Sequence, residues 1–170
     1  MASPDSANGH KFLHTALRVT DIEKSVEFYS GLFNMKILYR RELDTATLVF
    51  LGHSDAAAPE RPLMSREGVL ELVAAKGKSQ TIAGIGFGST SHFIKMAFSV
   101  PDLPTTVKQL KCQNVKVVND VGVDEFTEAV ASFMDCKLTD LNSDKELRDA
   151  LKPVCFVEDP NGYLIEIVQS

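Results

Sequence analysis

The sequence predicts an α+β fold of two successive modules, each running strand, helix, strands, within 170 residues. Three observations carry that expectation. A β-like run ends at Asp21 and leads into helical periodicity, and a second does so at Asp102, a weak internal repeat. Two short apolar strands follow each helix, TLVFLG and GVLELVAA first, PVCFVED and GYLIEIVQ second. The composition, 44% apolar and 24% charged, suits a globular chain rather than a disordered or coiled-coil one.

In chain order, residues 1–10 are expected to be a disordered N-terminus, followed by a first module over 11–76. Alternation from Phe12 to Val19 gives its opening strand, with His14, Ala16 and Arg18 on one face and Thr15, Leu17 and Val19 on the other. Thr20 and Glu23 are spaced as a capping box, and Ile22, Val26, Tyr29 and Phe33 recur at helical spacing. The connection from His53 to Glu67, with three Ala and two Pro, reads as a swollen surface loop. Residues 77–91 are Gly-rich and read as a linker; their GIGFG lacks the pattern of a phosphate-binding loop.

The second module covers 92–170. Its strand runs from Lys95 to Val100, and Val107, Leu110 and Val115 follow Asp102 much as the apolar positions follow Asp21. An insertion over 119–151, with nine acidic residues against three basic ones, reads as a solvated elaboration. Phe126, Val130 and Phe133, and a Ser143–Glu146 capping box before Leu147 and Leu151, point to one or two short helices packed by one face. EDPNGY has the chemistry of a tight hairpin turn.

The charge balance of 18 Lys+Arg against 23 Asp+Glu, net −5, offers no basic surface for a phosphate backbone, so nucleic acid is not an expected partner. No apolar run is long enough to span a bilayer and no secretory leader is evident, so no membrane partner is expected. Cys112, Cys136 and Cys155 have no metal-type spacing and suit a reducing, cytoplasmic setting.

Two glutamates stand out, Glu71 inside VLELVA and Glu166 inside YLIEIV. A carboxylate in an apolar strand must face water, a cation or a metal. If the repeat arranges the terminal strands alike, His14, Glu71 and Glu166 point into one cavity. The alternative for each is structural: a satisfied imidazole, and carboxylates paired with Arg18 and Lys95.

On the segments FLHTALRVTDIEKSVEFYSGLF, GVLELVAA, KMAFSVPD and CFVEDPNGYLIEIV, the chain resembles the glyoxalase I branch of the vicinal oxygen chelate superfamily. The resemblance implies two βαβββ modules forming an open cleft around a divalent metal, with Zn or Ni the expected ions. Three family ligand places fall on His14, Glu71 and Glu166. The fourth, a histidine seven residues before the helix-starting Asp, is Lys95 here. His92 lies three residues earlier, on the opposite face unless a bulge intervenes, and is a weaker ligand candidate. If Lys95 lies in the cavity, it competes as a cation.

By the same resemblance the activity is a lyase or isomerase of glyoxalase I type on an α-hydroxycarbonyl or its thiol adduct. Glu166 is the expected base and Glu71 its partner, with Arg18 and Lys95 on the small-molecule substrate. A homodimer is compatible with the family. The family's glutathione-binding Asn is Ala75, and its Arg falls on Gly88 or Ser91, so a small substrate other than the glutathione adduct is the expectation. An Fe(II) oxygenase of the same scaffold needs a His where Lys95 stands. The other alternative is a metal-free module that binds or sequesters a small molecule.

Overall fold

A computed structural model describes residues 11–54, 61–77 and 93–170. The element order is β1 (His14–Arg18), α1 (Ile22–Phe33), β2 (Lys36–Glu42), β3 (Ala46–Gly52) and β4 (Val69–Ala75). After these come β5 (Met96–Val100), α2 (Leu103–Cys112), β6 (Val117–Asn119), α3 (Glu128–Phe133), α4 (Leu138–Ser143), α5 (Lys145–Leu151), β7 (Cys155–Glu158) and β8 (Leu164–Gln169). A 3-10 turn, Leu63–Ser65, precedes β4. The expected disordered residues 1–10 and most of the 77–91 linker, including GIGFG, lie outside the described residues.

Two compact units result, one built on β1–β4 and most of α1, the other on β5–β8 and α2–α5. Their sheets have the same topology, β1-β4-β3-β2 and β5-β8-β7-β6. In each, the first strand pairs in parallel with the last, and the last three strands form an antiparallel meander. Each sheet is therefore a βαβββ module.

The repeat extends to the helix ends. Asp21 caps α1, its Oδ1 accepting from the Glu23 and Lys24 amides at 3.1 Å each. Asp102 caps α2 by accepting from the Thr105 amide at 3.0 Å. The expected capping box at Thr20 is thus corrected by one residue: the aspartate, a better acceptor, takes the cap. Asn34 and Asn114 end the two helices in the left-handed region, at φ 53° and 55°, which asparagine tolerates better than most residues.

Strand alternation decides burial. In the first unit Leu17, Val49, Leu51, Leu70 and Leu72 are buried along with Tyr29 of α1. In the second, Cys155, Val157, Ile165 and Ile167 are fully buried, as is Leu110 of α2.

The 119–151 insertion packs by one face as its spacing predicts, and departs from expectation in helix number and in one cap. It forms three short helices, and α5 is capped by Asp144, whose Oδ1 accepts from the Leu147 amide, rather than by Ser143. Ser143 instead donates its hydroxyl to the Thr139 carbonyl. The segment is solvated on one side only. Phe126, Val130, Ala131, Phe133 and Leu141 form one core with Val154 and with Phe156 and Leu164 of the sheet, and Leu147, Leu151 and Val168 pack against it. The apolar spacing outweighs the acidic composition because the charges sit on the outer face.

In the EDPNGY turn, Asp159 is buried and accepts from the Asn161 and Tyr163 amides at 2.8 Å each. Gly162 follows at φ 86°, a conformation that disfavours any side chain.

Candidate active site

Each glutamate sits in a row of register partners across its sheet. In the first unit the row is Ala16–Glu71–Phe50–Tyr39. In the second it is Ala97–Glu166–Phe156–Asn119. Alanine on the parallel side leaves room for a longer neighbour, and phenylalanine on the antiparallel side supplies an apolar wall. Two residues before each alanine stand His14, which opens β1, and Lys95, which lies just ahead of β5 rather than opening it as its sequence suggests.

Those neighbours contact the glutamates. His14 Nε2 lies 3.4 Å from Glu71 Oε2, and the imidazole meets the Phe50 ring edge-on at 5.9 Å between centroids. Lys95 Nζ donates to Glu166 Oε2, and the ammonium stands 5.9 Å from the Phe156 ring centroid. The side-chain exposures match as well: 16% for each glutamate, 33% for His14 and 35% for Lys95. Partial burial disfavours the charged amine and pushes Lys95 below the usual lysine value.

Of the residues expected to carry chemistry, His14 and Glu71 are brought together in one unit, and Lys95 and Glu166 in the other. Arg18 ends β1 on the His14 face and is exposed. Ala75 ends β4, opposite Ala46. His92, Gly88 and Ser91 lie outside the described residues. Among the described residues no group of three or more His, Cys, Asp or Glu converges as a metal centre. The two phenylalanines were not singled out by sequence, although each occupies the penultimate strand of its module and so repeats with the glutamates.

The donor chemistry of His14 and Glu71, one imidazole and one carboxylate, is of the kind that ligates a divalent transition metal. His14 and Glu71 are close enough to act as two ligands with small rotamer changes. Glu166 has the right chemistry but is already engaged by a cation.

A match to the glyoxalase/bleomycin resistance protein/dioxygenase superfamily covers residues 11–167. The chain belongs to that superfamily. Among proteins similar to it are the probable lactoylglutathione lyase of Vibrio parahaemolyticus, 28% identical over 166 residues, and the lactoylglutathione lyase of Neisseria meningitidis, 27% identical over 162. The first alignment covers 96% of this chain and 93% of the relative, the second 94% and 91%. Among solved structures, the trypanothione-dependent glyoxalase I of Leishmania major superposes with a TM-score of 0.61 at 25% identity, over 94% of this chain and 86% of that one. Maize glyoxalase I shares the fold, with a TM-score of 0.60 at 20% identity, and this superfamily member spans 44% of its chain.

Among the described residues no helix is long and apolar enough to cross a membrane.

Proposed function

We propose that this chain is a divalent-metal-dependent lyase or isomerase of the glyoxalase I type, acting on an α-hydroxycarbonyl compound or its thiol adduct. The observation that carries the reading is the His14–Glu71 contact on the first unit's sheet, with Glu166 at the equivalent register position of the second. Relatives named lactoylglutathione lyase, aligned over nearly the whole chain, support it.

His14, Glu71 and Glu166 would hold the metal, Zn or Ni by the donor set. When bound, the ion supplies Lewis acidity toward a carbonyl oxygen. Glu166, on a rigid central strand, accepts the proton α to the carbonyl and returns it to the neighbouring carbon. Glu71 is its counterpart at the equivalent register position of the first unit. The half-shielded setting of both glutamates keeps bulk water from competing for that proton. Arg18 anchors an anionic group of the substrate, and Lys95 donates to a substrate oxygen. A reducing cytoplasm suits the three free thiols.

Ala75 cannot bind a carboxylate or peptide group through its side chain, and the acidic 119–151 segment repels an anionic tripeptide. Glutathione is therefore a poor partner, and methylglyoxal with glutathione is expected to turn over slowly. The test is a panel of methylglyoxal adducts with neutral, cationic and anionic thiols, assayed with Zn, Ni, Co or Mn added. The reading requires metal-dependent turnover that His14→Ala and Glu166→Gln abolish. Brisk glutathione turnover would overturn the substrate preference alone. The Lys95–Glu166 contact favours a second reading, a metal-free small-molecule binding protein. Absence of both turnover and metal binding across the panel would select it.

A further inference from the structure

The sheet face that carries Glu71 has a second row, one step along the strands from the first. Arg18 pairs with Val73, Val73 with Leu48, and Leu48 with Arg41, so the row reads Arg18–Val73–Leu48–Arg41. Partners across a ladder, and residues two apart on one strand, share a face. Val73 therefore lies on the face of Glu71, Leu48 on that of Phe50 and Arg41 on that of Tyr39. All four residues of the row belong to the first unit.

Side-chain contacts fix which face this is. Arg40, next to Arg41, reaches Glu23 of α1 at 2.7 Å and so marks the helix side of the sheet. Tyr39 meets the Phe50 ring at 6.0 Å between centroids, and Phe50 meets His14 at 5.9 Å, which marks the other side. Arg41 is exposed there, and among the described residues no ion pair engages it. Leu48 and Val73 are half-buried, an apolar strip between two exposed cations.

We propose that this row is a carboxylate-binding arm: a small amphiphilic molecule lays apolar carbons on Leu48 and Val73 and a carboxylate on Arg41, its carbonyl end toward His14 and Glu71. The planar fork of a guanidinium matches a carboxylate bidentately. By ordinary sheet spacing the Cα atoms of Glu71 and Arg41 stand about 12 Å apart, a gap that suits a short acyl or aryl chain better than a bare two-carbon acid. The proposal rests on reading His14 and Glu71 as the reacting end, and it adds the substrate class. That class is a carbonyl compound or thiol adduct with one carboxylate set off by apolar carbons, unlike a polar tripeptide.

The test titrates 4-phenylbutyrate and its neutral analogue 4-phenylbutyramide into the full chain, followed by methyl and amide NMR shifts. The proteins are the unaltered one, Arg41→Met, Arg41→Lys and Arg40→Met, each checked for native circular dichroism. The unaltered protein is expected to bind the acid about fivefold or more tighter than the amide, with shifts at Leu48 and Val73. Arg41→Met is expected to erase that preference and leave the amide's affinity unchanged, Arg41→Lys to restore part of it, and Arg40→Met to keep it. In metal-supplemented assays Arg41→Met should raise KM for the methylglyoxal adduct of 6-mercaptohexanoate with kcat unchanged, and leave the 6-mercaptohexanol adduct unaffected.

Equal affinity for acid and amide in the unaltered protein, a preference that survives Arg41→Met, or shifts confined to the helix side of the sheet would each overturn the proposal. An Arg41-dependent preference without turnover under any metal would overturn the lyase reading and leave the carboxylate arm standing. Metal-dependent turnover with no preference between the two mercaptan adducts would do the reverse.

Discussion

The two units share one frame and diverge beyond their second strand. In the first, β2 and β3 are joined directly through residues 43–45; in the second, the corresponding connection carries α3, α4 and α5. The rows Ala16–Glu71–Phe50 and Ala97–Glu166–Phe156 are common to both, while the residue beside each glutamate is His14 in one and Lys95 in the other. Equivalent backbone positions thus carry chemically distinct pairs: a potential ligand pair and an internal ion pair. Backbone pairing constrains where a side chain stands, and leaves its chemistry free to change.

The largest effect should come from the phenylalanine pair. Phe156 is sealed between the sheet and the α3–α5 core, so Phe156→Ala removes a ring that nothing can replace and should cost about 3–5 kcal/mol in urea unfolding. Phe50, at 6% exposure and without a helical cover from its own β2–β3 connection, should cost less on truncation. Equal losses would show that the insertion contributes no packing beyond the shared frame.

Asp159 is the next lever, because its buried carboxylate satisfies two backbone amides in the β7–β8 turn. Asp159→Ala should cost about 1–3 kcal/mol, and Asp159→Asn, which keeps one acceptor oxygen, less. The first unit joins β3 to β4 by a longer connection, so substitutions among its described residues Arg61 to Glu67 should shift the midpoint only slightly.

All three cysteines belong to the second unit, which makes thiol labelling a reporter of that half. Cys112 and Cys136 are exposed and should react quickly with a disulfide reagent. Burial pushes the Cys155 thiol up to about 12, so it stays protonated and should react only on unfolding. Fast labelling of all three in native buffer would mean that β7 is not held as described.

The smallest effect is electrostatic and belongs to the first unit. Glu42 accepts from the Thr47 hydroxyl at 2.6 Å and lies 3.0 Å from Lys76 Nζ, and these partners bring its carboxyl down to about 2. A depressed value gives stability that is present above the ordinary 4.5 and lost as pH falls toward 2. A slight acid-side loss of stability, absent in Glu42→Gln, is the expected signature in melts across that range.

Much of this was legible in the sequence because period and punctuation encode it. Alternation grouped His14 with Ala16 and Arg18 on one strand and Glu71 with Val69 and Val73 on another, and the Asp21 and Asp102 anchors aligned two modules whose helices those aspartates cap. Less legible were the third helix of the insertion and Leu141, which joins the expected Phe126, Val130 and Phe133 in the core against the sheet. Composition reports the face toward water, and spacing the face toward the core. The cap at Asp21 rather than Thr20 turned on a single residue, a scale at which helix starts are decided by local hydrogen bonds. Lys95 was visible as a departure, but its contact with Glu166 depended on strand pairing 71 positions apart in sequence.

Anomalous diffraction from crystals soaked in zinc would test most directly whether the ligand chemistry resides on His14 and Glu71 while Lys95 holds Glu166. The expected map has a partly occupied ion about 2.0–2.2 Å from His14 Nε2 and a Glu71 oxygen, and none at Glu166. A fully occupied ion bound away from His14 and Glu71 would contradict it.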